Sequence, residues 1–289
     1  METKPLIVIV GPTASGKTSL AITLAKHFGG EIICADSRTV YEGMDIGTAK
    51  PTADERAQVQ HWGLDLVKPD QNYTVAEFKE YADRKIKEIR DRGRIPFLVG
   101  GSGLYIDSVI FDYEFGEPAD LDLRRKLEML SVEDLQDYCR KNSIEIPQNS
   151  NNKRHLVRAI EQKGINNKRK REPVENSFIF GIETDREVLK ERITKRATEM
   201  FNNDVVHEAE YLAEKYGWQH EAMTGNIYPL CHAVLEGTID MVEAREKFIV
   251  QDWRLVKRQL TWFKRNSYIT WLPLDETEKR IISLLDSEH

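Results

Sequence analysis

Residues 11–18 have the residue types and the spacing of a phosphate-binding loop. They read GPTASGKT, which matches the pattern GxxxxGK[ST]. The glycines let the backbone curl so that successive N–H groups point inward, and the helix that follows adds its partial positive charge. A lysine can then reach the outer phosphate oxygens, and a threonine hydroxyl can ligate Mg²⁺, the expected cofactor. We predict phosphate binding by Gly11, Pro12, Thr13, Ala14, Ser15, Gly16, Lys17 and Thr18, with Thr18 as the metal ligand.

A carboxylate follows the next apolar segment of the chain. Asp36 comes directly after residues 31–35, EIICA, which predict a short buried strand. Ligands of an open parallel sheet bind outside the carboxyl ends of its strands, so Asp36 should lie near the phosphate loop. There it can act as a general base or bind Mg²⁺ through water, whereas the structural alternative is a helix N-cap. Residues 37–51 are rich in Gly, Ser and Thr and predict a long functional loop.

The strand predicted at residues 95–99 narrows the reaction class. A nucleotide hydrolase usually has an acidic residue at the end of such a strand to hold Mg²⁺. Here the strand is followed by Gly100-Gly101-Ser102-Gly103, without a carboxylate. This pattern argues against an ATPase motor or a GTPase switch. It leaves a kinase-like transferase, or an enzyme whose substrate is a diphosphate rather than a nucleotide.

Secondary-structure elements must position these residues. Predicted strands and helices alternate over the first hundred residues of the chain. The β-α-β-α-β order predicts an α/β fold of the P-loop NTPase type, a parallel sheet with helices on both faces. Thr74 and Glu77 predict a capping box at the start of one helix. The predicted strands are Leu6–Val10, 31–35 and 95–99, and the predicted helices are Lys17–Phe28 and 74–92.

The pattern changes after about residue 115. Residues 119–164 are polar with helical spacing, so we predict a small all-helical insertion. Residues 177–182, SFIFGI, resume strand character, and helices are expected at about 186–202, 205–216 and 239–266. The predicted division is a first part of the core at 1–115, the insertion at 116–173, and a second, largely helical part of the core at 174–289.

The composition is typical of a soluble protein in a reducing compartment. No stretch reaches the roughly 18 apolar residues of a membrane span, and the first residues are not typical of a secretory signal. Three widely spaced cysteines predict neither a disulfide framework nor a zinc site. We therefore expect a cytoplasmic protein without a membrane partner. A monomer is a separate expectation. Although the net charge is −6, basic runs at 153–171 and 245–265 are compatible with a polyanionic partner.

Four segments together resemble the tRNA dimethylallyltransferase family, also called tRNA isopentenyltransferases, in its bacterial type. They are GPTASGKT (11–18), ADSRTVYEGMDIGTAKP (35–51), LVGGSGLY (98–105) and KRQLTWF (257–263). The resemblance implies transfer of a dimethylallyl group from dimethylallyl diphosphate to N6 of the adenosine 3′ of a tRNA anticodon, with release of diphosphate. It also implies a helical insertion that grips the anticodon stem-loop, and a substrate base that is flipped into the protein.

The resemblance assigns roles to individual residues. Asp36 matches the general base on the adenine amine. Ser102 stands near the reacting diphosphate, where the family usually has threonine, and Arg196 matches the second arginine of an RIxxR pattern that binds diphosphate. Contacts with tRNA are implied for Asp36, Ser37, Arg38, Thr39, Asn149, Ser150, Asn151, Asn152, Lys153 and the segment near Tyr228. We also predict contact with tRNA for Lys257 and Arg258. The alternative is that these two residues only lie on a solvated helix face.

The chain also departs from the family pattern, and the departures lie on the presumed tRNA side. Asp252-Trp253 replaces the usual Thr-Arg pair, and residues 224–229 keep only the tyrosine of their motif. These changes bear on RNA affinity or choice of tRNA and leave the diphosphate chemistry intact. Trp262 and Phe263 are interpreted as core packing rather than as a platform for base stacking.

Three other functions stay open on the sequence alone. An adenylate isopentenyltransferase, which acts on free AMP, ADP or ATP, shares the phosphate loop, but the helical insertion and the basic runs favour a polynucleotide. An RNA-binding relative with impaired catalysis is suggested by the altered C-terminal motifs, and the presence of Lys17, Thr18, Asp36 and Arg196 argues against it. A small-molecule P-loop kinase would need an acceptor or lid motif, which we do not recognise.

Overall fold

A parallel sheet forms the centre of the fold in the computed structural model, which describes residues 3–115, 120–162 and 169–287. Its strands are β1 Leu6–Val10, β2 Glu31–Cys34, β3 His61–Trp62, β4 Pro96–Gly100, β5 Ser177–Glu183 and β6 Thr270–Pro273. Their order is β3-β2-β4-β1-β5-β6, and each neighbouring pair is parallel. The predicted α/β fold class is confirmed.

Helices connect and cover these strands. Those in the described ranges are α1 Lys17–Phe28, α2 Ala53–Gln58, α3 Val75–Asp91, α4 Gly103–Ile110, α5 Leu121–Glu128, α6 Val132–Lys141, α7 Lys153–Glu161, α8 Arg186–Asn202, α9 Val205–Tyr216, α10 Tyr228–Leu235, α11 Met241–Phe263 and α12 Leu274–Ser287. A short 3₁₀ helix spans Glu221–Thr224. Within the described ranges, none of the helices is both long and apolar enough to cross a membrane.

The central strand β1 shows why the sheet needs helices on both faces. All of its residues are buried, and because side chains alternate between the two faces of a strand, both faces must be covered. On one face Ile7 and Ile9 belong to the same core cluster as Leu24 of α1 and Ile281 of α12. Burial of one such aliphatic side chain contributes about 1.5–3 kcal/mol. The last helix of the chain therefore helps to hold the strand that precedes the phosphate loop.

The chain divides into two compact units. One consists of Met1–Ile110 and Pro173–His289 and contains the sheet, and the other consists of Phe111–Glu172. The second unit has a core of its own, which includes Leu135 of α6 and Leu156 of α7. The predicted insertion spans 116–173, and residues 116–119 and 163–168 of that range lie outside the described residues.

Helix α3 begins at the predicted capping box. The Thr74 hydroxyl accepts the N–H of Glu77 at 3.2 Å, and the Glu77 carboxylate accepts the N–H of Thr74 at 2.7 Å. We expect Thr74→Ala to lower the free energy of unfolding by about 1 kcal/mol, because one helix N–H loses its acceptor. Urea denaturation measures this loss. Thr23→Ala, at an exposed position within α1, should cause none, since alanine has the higher helix propensity; equal losses in both variants would contradict the cap.

Candidate active site

Three loops meet at one edge of the sheet. Strands β2, β4 and β1 are parallel neighbours, so the segments that follow them leave the sheet on the same side. Ser102, after β4, joins two of these segments: its N–H donates to the Ala35 carbonyl at 3.2 Å, and its hydroxyl accepts the N–H of Ser37 at 2.9 Å. A side chain at Gly100 would overlap the Ala35 carbonyl, so this close approach requires glycine.

A cavity of about 500 Å³ lies at this edge, a size that is typical of small-molecule sites. Thr13 and Lys17 of the phosphate loop line it, as do Asp36, Ser102 and Arg196. Two residues assigned to diphosphate, Lys17 and Arg196, thus line the same space as the carboxylate assigned to the base. The strand order explains why the segments after β1, β2 and β4 meet here. Helices from the C-terminal part of the chain supply the other lining residues, which include Arg196.

The phosphate loop has the backbone shape of an anion site. Ala14 and Gly16 have φ angles of 62° and 91°, and such left-handed residues turn neighbouring N–H groups toward a common point. Gly16 precedes α1, and no side chain of the described residues caps that helix start. Its first N–H groups are therefore left for a ligand. Ser15 Oγ is buried and has no hydrogen-bond partner within the described part of the chain.

Lys17 lies in this loop, and its pKa is lower than that of a free lysine. Its Nζ donates to the Pro12 carbonyl at 3.0 Å. Desolvation lowers the pKa of Lys17 to about 8, although the nearby Asp36 carboxylate opposes that shift. An anionic ligand would stabilise the protonated lysine further. Lys17 is therefore a cation whose charge depends on pH in the range where enzymes are assayed.

Two C-terminal helices complete the phosphate side of the cavity. Arg196 of α8 donates from Nη1 to Thr13 Oγ1 and from Nη2 to the carboxylate of Asp252 on α11. Gln259 of α11 accepts the N–H of Thr13 at 2.9 Å and donates to the Gly101 carbonyl at 3.1 Å. The ion pair with Arg196 holds Asp252 beside the phosphate loop, and the position of Asp252 relative to bound tRNA stays a prediction.

Asp36 is half-buried, and its Oδ1 accepts the N–H of Arg38 at 2.8 Å. The N-cap alternative is wrong, since residues 37–51, all of which are described, contain no helix for Asp36 to cap. The same residues are the long loop predicted from composition. Thr39 is buried and its hydroxyl donates to the Asp36 carbonyl at 3.4 Å. Arg38 donates from Nη1 to the Glu221 carbonyl at 2.7 Å.

Glu208 of α9 fixes the middle of this loop. Its carboxylate accepts the backbone N–H groups of Asp45, Ile46 and Gly47 at 2.9, 2.7 and 2.9 Å. It also accepts the hydroxyl of Tyr228 at 2.9 Å. Tyr228 lines the cavity and is 1% exposed, and burial together with Glu208 raises its pKa. Its side chain therefore supports the loop, and contact with tRNA stays a prediction.

Helix α11 presents further side chains at the cavity. Arg258 and Trp262 line it, and Lys257 lies exposed on the same helix. Trp262 is 36% exposed, and its Nε1 donates to Asp107 at 2.8 Å. Core packing is thus confirmed for Phe263, which is fully buried, and wrong for Trp262. Contact of Lys257 and Arg258 with RNA stays a prediction.

The other residues predicted to contact tRNA belong to the second compact unit. Asn152 caps α7 by accepting the N–H of Arg154 at 3.1 Å. Lys153 donates to the Glu128 carbonyl at 2.6 Å. These local roles explain the conformation of the segment, and its contact with RNA stays a prediction. The residues concerned are Asn149, Ser150, Asn151, Asn152 and Lys153.

A metal ion would have few protein ligands in this site. The described residues contain no group of three or more His, Cys, Asp or Glu side chains that could hold one. Thr18 is half-buried in the first turn of α1. Mg²⁺ usually takes one or two protein oxygens together with substrate phosphates and water. The Thr18 hydroxyl and the Asp36 carboxylate are oxygen donors of that kind, and Mg²⁺ binding stays a prediction.

Sequence reasoning missed two residues that build the site, Gln259 and Glu208, and assigned a third, Trp262, to the core. Gln259 and Trp262 lie three positions apart within KRQLTWF, so their position on one helix face was a usable signal. Glu208 lies in an ordinary amphipathic helix and gave no local signal. Its role appears only when α9 is placed against the loop.

The comparisons with known proteins identify the family. A family model described as IPP transferase matches residues 39–266. The tRNA dimethylallyltransferase of Acetivibrio thermocellus is 40% identical and covers 97% of this chain and 96% of its own. That of Staphylococcus epidermidis is 38% identical, with coverage of 93% and 87%. The full-length tRNA isopentenylpyrophosphate transferase of Bacillus halodurans superposes with a TM-score of 0.76 at 34% identity, over 99% of this chain and 96% of that one. This protein therefore belongs to the IPP transferase family.

Proposed function

We propose that this protein transfers a dimethylallyl group from dimethylallyl diphosphate to N6 of the adenosine 3′ of the anticodon in tRNA. The observation that carries the proposal is one cavity lined both by two cations, Lys17 and Arg196, and by the carboxylate of Asp36. The relatives named as tRNA dimethylallyltransferases support the same reaction. The proposed setting is the cytoplasm, with the protein as a monomer. The buried free thiols Cys34, Cys139 and Cys231 agree with a reducing compartment.

The acceptor side of the proposed reaction depends on Asp36. The exocyclic amine of adenine is a poor nucleophile and is out of reach inside a stacked anticodon loop. Flipping the base out costs a few kcal/mol and exposes the amine. As N6 forms its bond to the first carbon of the dimethylallyl group, Asp36 accepts a proton from the amine. The bond from the Arg38 N–H fixes the orientation of that carboxylate.

The donor side depends on the phosphate loop. The bond between the dimethylallyl carbon and the diphosphate oxygen breaks, and the leaving group gains negative charge. The N–H groups at the start of α1, the Lys17 ammonium and the Arg196 guanidinium are already in place to stabilise that charge. Mg²⁺ held by Thr18 and the phosphate oxygens would neutralise a further part of it.

A transfer assay tests the proposal. The protein is incubated with labelled dimethylallyl diphosphate and either an unmodified tRNA or AMP, at equal acceptor concentrations. Label in the tRNA supports the proposed reaction. Label in AMP but not in tRNA would instead indicate an adenylate isopentenyltransferase. Binding of tRNA without any transfer would indicate an RNA-binding relative that has lost catalysis.

The affinity for diphosphate should fall as the pH rises through about 8. Lys17 is protonated below this pKa and neutral above it, so the attraction to an anion is present at low pH and lost at high pH. Calorimetric titration with inorganic diphosphate between about pH 7 and pH 9 measures the effect. In Lys17→Met the contribution of Lys17 is absent at every pH. The advantage of the wild type over this variant should therefore shrink with rising pH, and a constant ratio of the two Kd values would contradict the assignment.

A further inference from the structure

Asp252 adds a negative charge to the phosphate side of the cavity. Its side chain is 4% exposed and forms an ion pair with Arg196, whose side chain is 21% exposed. Asp252 lines the same cavity as Lys17 and Thr13. It is therefore a desolvated carboxylate inside a site that we propose for an anion.

The geometry of Arg196 shows how this carboxylate affects a ligand. One terminal nitrogen of the guanidinium donates to Thr13 and the other donates to Asp252. Nε is buried and has no partner in the described ranges. A guanidinium binds a phosphate most strongly through two parallel N–H bonds. Asp252 already accepts a bond from one terminal nitrogen. A phosphate that binds this nitrogen must therefore displace the Asp252 carboxylate or bind beside it.

The balance of charges leads to the same conclusion. Lys17 and Arg196 are cations that line the cavity, Arg192 donates to the Ala14 carbonyl of the phosphate loop at 3.3 Å, and Asp252 neutralises Arg196 before a ligand enters. A diphosphate that contacts Arg196 must also come close to Asp252. Two negative charges that are shielded from water repel each other far more than two in bulk solvent. Part of the attraction of Arg196 for the ligand is thereby cancelled.

We propose that Asp252 competes with the diphosphate group for Arg196 and lowers the affinity of the site for both the donor and the product diphosphate. This inference rests on the function proposed above. Asp252 is not a catalytic residue in this account, because it acts on the ligand through Arg196. Its effect on the reaction is to let the product diphosphate leave.

A purely structural role for Asp252 predicts an effect of the opposite sign. If Asp252 only oriented Arg196, its removal would free the guanidinium and weaken diphosphate binding. Competition predicts that removal strengthens binding. The sign of the change in Kd therefore separates the two roles without reference to its size.

The test is calorimetric titration of the full-length protein with inorganic diphosphate at constant Mg²⁺. Asp252→Asn keeps an oxygen that can accept a bond from Arg196, and Asp252→Thr introduces the residue of the family pattern. Both should bind diphosphate at least about tenfold more tightly than the wild type. The control is Glu199→Gln, which removes an exposed carboxylate from the same helix as Arg196 and should leave Kd within about twofold because solvent screens it.

Transfer kinetics give a second readout. In the Asp252 variants the steady-state kcat should fall relative to the single-turnover rate, because product diphosphate leaves more slowly. Thermal unfolding checks that each variant is folded. Unchanged or weaker diphosphate binding by a folded Asp252 variant would overturn the inference. A wild-type protein that does not bind diphosphate at all would instead overturn the proposed function.

Discussion

The Asp36→Asn variant is expected to lose about 10²–10⁴-fold in the single-turnover rate of prenyl transfer, while it binds tRNA and dimethylallyl diphosphate almost as well as the wild type. Asparagine has nearly the same shape as aspartate. Its side-chain oxygen can still accept the N–H of Arg38, so the start of the long loop keeps its conformation. The variant lacks the capacity to take a proton from the adenine amine, and it lacks the negative charge, which also supports the protonated form of Lys17.

Single-turnover kinetics at saturating tRNA, across a range of pH and Mg²⁺ concentration, distinguish the possible roles of Asp36. A loss that Mg²⁺ does not relieve supports the general base. Partial recovery at high Mg²⁺ would show that Asp36 mainly holds the metal. A rate near that of the wild type would show that Asp36 only accepts the Arg38 bond. Asp54→Asn, at an exposed position of α2, is the matched control and should not change the rate.

Lys17→Ala is expected to lower kcat/KM by roughly 10²–10³-fold, the usual loss when one fixed donor to a developing negative charge is removed. The loss should appear in the Kd for dimethylallyl diphosphate as well as in the rate, because the ammonium attracts the diphosphate before and during the reaction. Binding of tRNA should change little, since this residue lies in the phosphate loop and not among the residues predicted to contact RNA.

The control for this variant is Lys26→Ala, which removes the same charge from an exposed position on the same helix. Its kinetics should match those of the wild type. Initial rates at varied dimethylallyl diphosphate give kcat/KM, and calorimetry gives Kd. Undiminished activity of Lys17→Ala would eliminate the phosphate-loop assignment, and equal losses in both variants would show a general effect of charge rather than a specific contact.

The elements with strong local signals were predictable from the sequence. Strand β1 is an apolar run that ends at a glycine, and α1 combines helical spacing with a glycine after its end, so their bounds agree with the prediction. Helix α8 was equally clear. Strand β6 was missed because it pairs only with β5 in the sheet and all of its residues remain at least partly exposed. An edge strand of this kind lacks the buried apolar run by which the other strands were recognised.

The part of the site that follows directly from the order of strands along the chain was predictable, and the rest was not. The phosphate loop and Asp36 each follow a strand, and the parallel order of those strands places them at one edge. The contact between Arg196 and Asp252 joins residues 56 positions apart, and its partners lie on two helices whose packing no local pattern specifies. For this reason the pairing of Asp252 with Arg196 could not be predicted, although the departure of Asp252 from the family pattern was visible in the sequence.

The long-range bonds of the phosphate loop have a consequence for protein synthesis. Thr13 bonds to Gln259, 246 residues further along the chain, and the loop after Asp36 is held by Glu208 across more than 160 positions. A ribosome releases the N-terminal strands first, and contacts between distant residues form late because closing long loops costs entropy. The nascent chain thus carries its phosphate loop long before it has the partners that shape the site. Unfinished chains that lack Glu208 and Gln259 therefore carry the phosphate loop and the loop after Asp36 without the bonds that hold them.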